Sequence, residues 1–164
     1  MNKFRSYVGR FYECLGKVAY YCLLPILAVY GKTASRPRVR ALIIHDNNVL
    51  LARNWFGHQK WTLLGGGVLK GESETRGLQR EVEEELGVVL GAIELHHLDT
   101  FKLTEKWAPY KISVYIFRAD IPGPIVLNKM EILDAQWFSL DELPPDVSSE
   151  FKEVLRRYKR IDTE

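Results

Sequence analysis

The most constraining feature of this sequence is a glycine-rich and glutamate-rich segment at residues 65–88, which reads GGGVLKGESETRGLQREVEEELGV. Its composition predicts a helix over Ser73–Leu86, and Gly87 is a typical residue for ending one. Apolar side chains recur along this helix at the four-residue spacing of a single face, at Leu78, Val82 and Leu86. The segment therefore predicts a glycine loop that leads into an amphipathic helix.

Three glutamates of the predicted helix, Glu81, Glu84 and Glu85, lie at positions i, i+3 and i+4. They fall within an arc of about 100°, beside the apolar face rather than opposite to it. Like charges at this spacing destabilise a helix by about 0.2–0.5 kcal/mol per pair, and a divalent cation offsets the repulsion. Because the ligands are oxygens, and no Cys or His is placed to favour zinc, the pattern indicates Mg²⁺ or Mn²⁺.

The glycines Gly65, Gly66 and Gly67 add a second signal. Consecutive glycines allow positive φ angles, so backbone amides and carbonyls can approach a ligand closely. Phosphate-binding loops use this geometry, and a bare carbonyl can also ligate a metal. A run such as REVEEE alone is most often a solvated helix face, but its fixed spacing from a glycine loop favours metal-assisted attack on a phosphate chain.

The chain from Arg38 onward predicts a mixture of short strands and helices, which places it in the α/β or α+β class. Apolar and β-branched runs predict the strands, and Asp46-Asn47-Asn48 predicts a hairpin turn between the first two. The predicted strands are Val39–Ile44, Val49–Arg53, Trp61–Leu64, Ile93–Leu103, Lys111–Ala119 and Leu133–Phe138. Apolar spacing over Ser148–Lys159 predicts a C-terminal helix.

Residues 1–36 differ in composition from the rest of the chain. Apolar residues recur every three or four positions from Phe4 to Cys22, which predicts an amphipathic helix, and Pro25 interrupts the pattern. The first 40 residues contain eight basic residues and one acidic residue, a net charge of +7, whereas the remaining residues carry −5. We therefore predict a helical extension and linker at residues 1–36 and a separate domain at residues 37–164. The basic region suggests an anionic partner or surface.

The apolar run Val18–Tyr30 is shorter than the roughly 20 residues that a membrane-spanning helix needs, and it lacks a convincing secretory cleavage site. The two cysteines, Cys14 and Cys22, are too few for a disulfide framework and are typical of reduced thiols. We expect a cytoplasmic protein. The amphipathic helix would then pack on its own domain, form a homodimer or lie on a membrane surface.

The spacing of the glycine loop and the glutamates matches a known signature. The pattern G-x5-E-x7-R-E-U-x-E-E-x-G-U, where U is aliphatic, is met at every fixed position by Gly66, Glu72, Arg80, Glu81, Val82, Glu84, Glu85, Gly87 and Val88. The chain resembles the Nudix hydrolases from about Arg38 to Pro145, roughly two thirds of its length. This resemblance implies a Nudix-type α/β/α sandwich with a mixed sheet, to which the N-terminal amphipathic helix is added.

The resemblance also implies roles for individual residues in catalysis. Glu84 and Glu85 correspond to metal ligands, and Glu81 corresponds to a ligand or to the general base. Arg80 corresponds to the arginine that orients these glutamates through a salt bridge. Which glutamate acts as the general base stays open.

Further residues complete the site that the resemblance implies. Gly65 would offer its carbonyl to the metal, and a glutamate from a later loop would join it, with Glu131 as the first candidate and Glu105 as the second. The residues expected to bind substrate are Gly66, Gly67, Glu72, Trp55 and His58.

The reaction implied by the resemblance is attack of water on a phosphorus of a nucleoside diphosphate linked to another moiety, X, with nucleoside triphosphates also considered as substrates. The cofactor would be Mg²⁺ or Mn²⁺, and the partner a small nucleotide-type molecule rather than a specific nucleic acid. The alternative is a Nudix-like nucleotide-binding or regulatory module without catalysis. The complete set of signature residues favours the enzyme, because a binding module need not keep every metal ligand.

Overall fold

The structure, a computed structural model, describes residues 18, 22, 37–55, 59–92, 94–104, 109–118, 120–121 and 123–161. Its elements are β1 (Arg38–His45), β2 (Asn48–Asn54), α1 (Glu74–Leu86), β3 (Leu95–Thr104), β4 (Pro109–Phe117), β5 (Ile132–Ser139) and α2 (Ser149–Ile161). The strands form one sheet in the order β3-β4-β1-β2-β5. β1 is parallel to β4, and the other neighbouring strands pair antiparallel, so the sheet is mixed as predicted.

The two helices cover opposite faces of this sheet, because alternate residues of a strand point to opposite sides. The core on the α1 side includes Val39, Ala41, Ile43, Leu78, Val82 and Leu86. The core on the α2 side includes Leu42, Ile112, Val114, Phe151, Val154 and Tyr158. The α/β/α sandwich expected from the sequence is confirmed.

Helix α1 begins and ends close to where the sequence predicts. Ser73 caps its N-terminus by accepting a hydrogen bond from the backbone N–H of Arg76, at 3.3 Å. Gly87 ends the helix in the left-handed conformation, at φ 68°, and its N–H donates to the Glu83 carbonyl at 2.8 Å. Both ends of the helix that carries the glutamates are therefore fixed by local hydrogen bonds.

Five of the six predicted strands are present, with ends that differ by a few residues. The prediction of a strand at Trp61–Leu64 was wrong. Its residues form isolated bridges to three different segments, through Ala52, Ala41 and Val147. No regular ladder forms there because Trp61, Thr62 and Leu64 bridge to three different segments.

The predicted amphipathic helix of residues 1–36 lies outside the described residues, apart from Val18 and Cys22, which have helical backbone and are exposed. The helix and the domain boundary after residue 36 stay predictions. In the described part of the chain, no helix combines the length and apolar character that a membrane span requires.

Candidate active site

The glycine loop lies against the first half of β1. The backbone N–H groups of Val39 and Ala41 donate to the carbonyls of Gly66 and Leu64, at 2.9 and 3.0 Å. Gly65 has φ +117°, and a Cβ at this position would lie 2.4 Å from the Val39 carbonyl oxygen. Both the backbone conformation and the lack of space therefore require glycine here.

Arg80 joins the loop to the glutamates of α1. Its Nε donates to Glu72 at 3.0 Å, and its Nη1 donates to Glu81 at 2.8 Å and to Glu84 at 3.1 Å. Its Nη2 donates to the Gly67 carbonyl at 3.0 Å. The hydrogen bond with Glu72 is the main cause that raises the pKa of Arg80. The planar guanidinium thus holds three carboxylates and one loop carbonyl in a fixed arrangement.

Glu72 ties the loop to this arrangement from the other end. Its Oε2 accepts a hydrogen bond from the backbone N–H of Leu69 at 2.9 Å as well as one from Arg80 at 3.1 Å. The hydrogen bond with Arg80 lowers the pKa of Glu72, followed in size by the bond from Leu69. Glu72 therefore contacts both the loop and Arg80, while its expected contact with substrate stays a prediction.

Glu85 is the most buried of the signature glutamates, with 5% of its surface exposed. Its Oε2 accepts a hydrogen bond from the backbone N–H of Gly65 at 2.9 Å. Burial raises the pKa of Glu85 to about 8, and the charges of Glu81 and Glu131 act in the same direction. The Gly65 N–H and the charge of Arg40 act against this rise. A further cation beside Glu85 would lower its pKa and stabilise the carboxylate.

The groups around Gly66 have the donor chemistry that a hard divalent cation prefers. A Cβ on Gly66 would come within 2.2 Å of Glu81 Oε2, whereas a Cβ on Gly67 would meet nothing within 4 Å. The surrounding donors are carboxylate and carbonyl oxygens, which suit Mg²⁺ and Mn²⁺. Among the described residues, no three Asp, Glu, His or Cys side chains are already grouped as a metal site. The ligand assignments made from the sequence therefore stay predictions.

The segment before β5 brings Glu131 to the same region. The backbone N–H of Trp55 donates to the Glu131 carbonyl at 2.7 Å, and the N–H of Asn128 donates to the Glu85 carbonyl at 3.0 Å. The Glu131 charge also acts on the pKa of Glu85. Two of the predicted site residues, Trp55 and Glu131, thus lie together beside α1. His58 and Glu105 are outside the described residues.

One set of residues at the loop is missing from the sequence-based prediction. Arg40 of β1 donates from Nη1 to the Gly65 carbonyl and from Nε to Glu150 of α2, the latter at 2.5 Å. Tyr110 donates its hydroxyl to Glu150 at 2.8 Å. Arg38 and Arg40 contribute to the basic charge of the first 40 residues, but both belong to β1. The available signal was a charged residue inside an otherwise apolar strand.

Known proteins share sequence and fold with this chain. A sequence model of the NUDIX domain matches residues 34–158. The chain is 26% identical over 117 residues to an RNA pyrophosphohydrolase of Psychromonas ingrahamii, with 71% of this chain and 60% of that protein covered. It is 36% identical over 111 residues to the NAD-capped RNA hydrolase NudC of Pseudomonas aeruginosa, with 66% of this chain and 38% of that protein covered. The chain thus spans less than two thirds of the length of these two relatives.

A third relative and a solved structure match over most of their own length. The oxidized purine nucleoside triphosphate hydrolase of Mus musculus is 32% identical over 135 residues, which cover 77% of this chain and 84% of that protein. The crystal structure of a MutT NUDIX hydrolase from Burkholderia pseudomallei superposes with a TM-score of 0.68 at 26% identity, with 74% of this chain and 96% of that chain covered. Since the NUDIX model covers most of the sequence and the described residues form the corresponding sandwich, the chain belongs to the Nudix hydrolase family.

Proposed function

We propose that this protein is a divalent-cation-dependent hydrolase that cleaves a phosphoanhydride bond in a nucleoside diphosphate linked to a further group, with nucleoside triphosphates included among its substrates. The observation that carries the proposal is the cluster around the glycine loop. Arg80 donates hydrogen bonds to Glu72, Glu81 and Glu84. Glu85 is buried and accepts a hydrogen bond from the Gly65 N–H. A fold alone would not require four acidic groups to be held at one loop.

The residues that would hold the metal are Glu81, Glu84, Glu85, Glu131 and the carbonyl of Gly65. When bound there, Mg²⁺ or Mn²⁺ would neutralise the charge of the phosphate chain as water attacks a phosphorus. Arg80 keeps the carboxylates in place before substrate arrives, which reduces the reorganisation needed during the reaction. A carboxylate of the cluster would accept the proton of the attacking water, and Glu81 or its neighbours are the candidates.

The names of the three relatives support nucleotides or nucleotide-capped RNA as the class to test. They are an RNA pyrophosphohydrolase, an NAD-capped RNA hydrolase and an oxidized purine nucleoside triphosphate hydrolase. The substrate pocket of this chain is expected to include Gly66, Gly67, Glu72, Trp55 and His58. We favour a small nucleotide-type substrate, since nothing in the described residues marks a surface for one particular nucleic acid sequence.

The test is a hydrolysis screen with the whole chain in the presence of Mg²⁺. Its substrates are ordinary and oxidised nucleoside triphosphates, ADP-ribose, NAD and short RNAs with a triphosphate or an NAD cap. We expect turnover of at least one substrate that stops with a chelator and returns with Mg²⁺. Nucleotide binding without turnover of any of these substrates would instead support the regulatory module and contradict the enzyme.

Two substitutions test the metal assignment within the same screen. We expect Glu84→Gln and Glu85→Gln each to lower kcat by about 10²–10³-fold, since a metal ion contributes several kcal/mol to such transition states. Glu85→Gln keeps an acceptor for the Gly65 N–H, so the fold should persist and circular dichroism can check it. The matched control is Glu83→Gln, an exposed position on the same helix, which should leave kcat within about twofold of wild type. Equal rates in all three variants would contradict the assignment.

A further inference from the structure

The backbone of Gly65 is held at both its N–H and its carbonyl, by side chains from different elements. On the α1 side, Glu85 accepts a hydrogen bond from its N–H at 2.9 Å. On the α2 side, Arg40 donates to its carbonyl and binds Glu150 at 2.5 Å. Tyr110 supplies the second hydrogen bond to Glu150, at 2.8 Å. Glu150 of α2 is thus connected to the candidate metal site through the side chain of Arg40 and the backbone of Gly65.

Both members of the Arg40–Glu150 pair are removed from water, with 9% and 5% of their surfaces exposed. Desolvation opposes such a pair, and replacing a buried pair by apolar residues is often neutral or stabilising. The pair is therefore a poor candidate for a device that only adds stability. What its geometry achieves is the orientation of the Gly65 carbonyl, because the planar guanidinium of Arg40 contacts the carboxylate and the carbonyl together.

We infer that Arg40 is a positioning residue for the metal site and that Glu150 fixes Arg40 in turn. The inference rests on the proposed function, because it assigns to the Gly65 carbonyl the role of a metal ligand. Groups that hydrogen-bond to a metal ligand and orient it typically change metal affinity or activity by 10–100-fold when they are removed. A carbonyl oxygen has two lone pairs, so it can accept from Arg40 and still offer a lone pair to a cation.

A second ion pair of α2 makes it possible to test whether Arg40 positions the loop or only attaches α2 to the sheet. Arg157 binds Asp99 of β3 at 2.5 Å, and its guanidinium lies 3.9 Å from the centre of the Phe101 ring. This pair also connects α2 to the sheet, but it touches neither the glycine loop nor α1. It therefore provides a matched control on the same helix.

The experiment replaces the whole pair with the double variant Arg40→Met, Glu150→Gln, which leaves the net charge of the chain unchanged. The first readout is the Kd for Mn²⁺ of the full chain without substrate, measured by electron paramagnetic resonance. We expect it to rise by about tenfold or more. The second readout is amide hydrogen exchange of Gly65 by NMR in metal-free protein. We expect exchange to become faster, because the carbonyl side of the loop is released.

The control double variant is Arg157→Met, Asp99→Asn, which should change the Mn²⁺ Kd by less than about twofold, in keeping with its distance from the site. A milder variant, Arg40→Lys, keeps the charge without the planar guanidinium and should raise the Kd in the same direction by a smaller factor. It keeps the test decisive if the double variant does not fold.

The outcomes separate this inference from the proposed function. Wild-type protein that binds Mn²⁺ and hydrolyses a nucleotide, with the same Kd in the Arg40 variants, would overturn the positioning role alone. An equal rise in the Kd of the control variant would do the same, since it would trace the effect to α2 as a whole. Wild-type protein that binds no Mn²⁺ and hydrolyses nothing would overturn both.

Discussion

Two arginines border the glycine loop, and they differ in almost every respect. Arg80 is partly exposed and binds residues that lie within 13 positions of it in the sequence. Arg40 is buried and binds Glu150, 110 positions away. The first arginine belongs to a compact motif, whereas the second depends on the completed tertiary structure. The comparison teaches that one loop can be held by a local network on its solvent side and by a long-range pair on its buried side.

Among the tests of this comparison, we expect the largest effect on stability when one member of the buried Arg40–Glu150 pair is removed. We expect Arg40→Met alone to lower the free energy of unfolding by about 3–5 kcal/mol, because Glu150 would be left as an uncompensated buried charge. The double variant with Glu150→Gln should lose less than half of that. Urea unfolding at pH 7 measures both. Single and double variants of equal stability would show that leaving Glu150 unpaired costs no stability.

Replacing Arg80, the partly exposed arginine, should affect catalysis more than stability. We expect Arg80→Met to lower kcat/KM by about 10–100-fold, because Arg80 holds Glu81 and Glu84, two of the proposed metal ligands. Its cost in the free energy of unfolding should stay near 1 kcal/mol, because partly exposed ion pairs contribute little. Steady-state kinetics and urea unfolding on the same sample test this. A large loss of stability with normal kinetics would reverse the distinction between the two arginines.

A smaller effect is expected within the loop itself, from two adjacent glycines. Gly66→Ala should lower kcat/KM by about tenfold, because its Cβ would lie 2.2 Å from Glu81 Oε2 and would displace that carboxylate. Gly67→Ala has open space around its Cβ and serves as the matched control. Because Gly67 is itself an expected substrate contact, its substitution should also lower kcat/KM, but by a smaller factor than Gly66→Ala. Equal effects of the two substitutions would mean that backbone flexibility matters rather than the contact with Glu81.

The smallest effect that we expect is a change in the contribution of Glu150 to stability at acidic pH. Burial acts to raise the pKa of Glu150, but the charge of Arg40 and the hydrogen bonds from Arg40 and Tyr110 more than offset this, so its pKa lies below the ordinary value of 4.5. The stabilisation from its ionised form is therefore complete above pH 4.5 and is lost as the pH falls below it. The stability difference between wild type and Glu150→Gln should be constant at neutral pH and shrink in acid. A difference that grew in acid would contradict the sign of this shift.

Much of the fold could be predicted from the sequence because its signals are local. Ser73 and Gly87 delimit α1, and the turn at Asp46-Asn47, within the predicted segment Asp46-Asn47-Asn48, connects the strands of the first hairpin. The prediction of a strand at Trp61–Leu64 failed because apolar composition cannot show that its residues bridge to three separate segments. The parallel pairing of β1 with β4 likewise joins strands that are separated in the sequence by β2, α1 and β3.

The site shows the same division. Arg80 and its glutamate partners could be found because one short segment contains them all. Arg40 and Glu150 could not be paired, because nothing in the intervening sequence indicates that α2 returns to β1. The basic composition of the first 40 residues even favoured a different interpretation of Arg40, as part of a surface-binding region. A charged residue flanked by the buried positions Val39 and Ala41 was the signal to follow.

The 110-residue separation of Arg40 and Glu150 also has a consequence for folding kinetics. A contact that closes so long a stretch of chain forms late, because the entropy of the intervening segment must be lost before the contact gains anything. Until that contact forms, Arg40 is not fixed by Glu150 against the carbonyl of Gly65. We therefore expect regain of Mn²⁺ affinity during refolding to lag behind regain of helical signal, so that the site matures only with the last cooperative step.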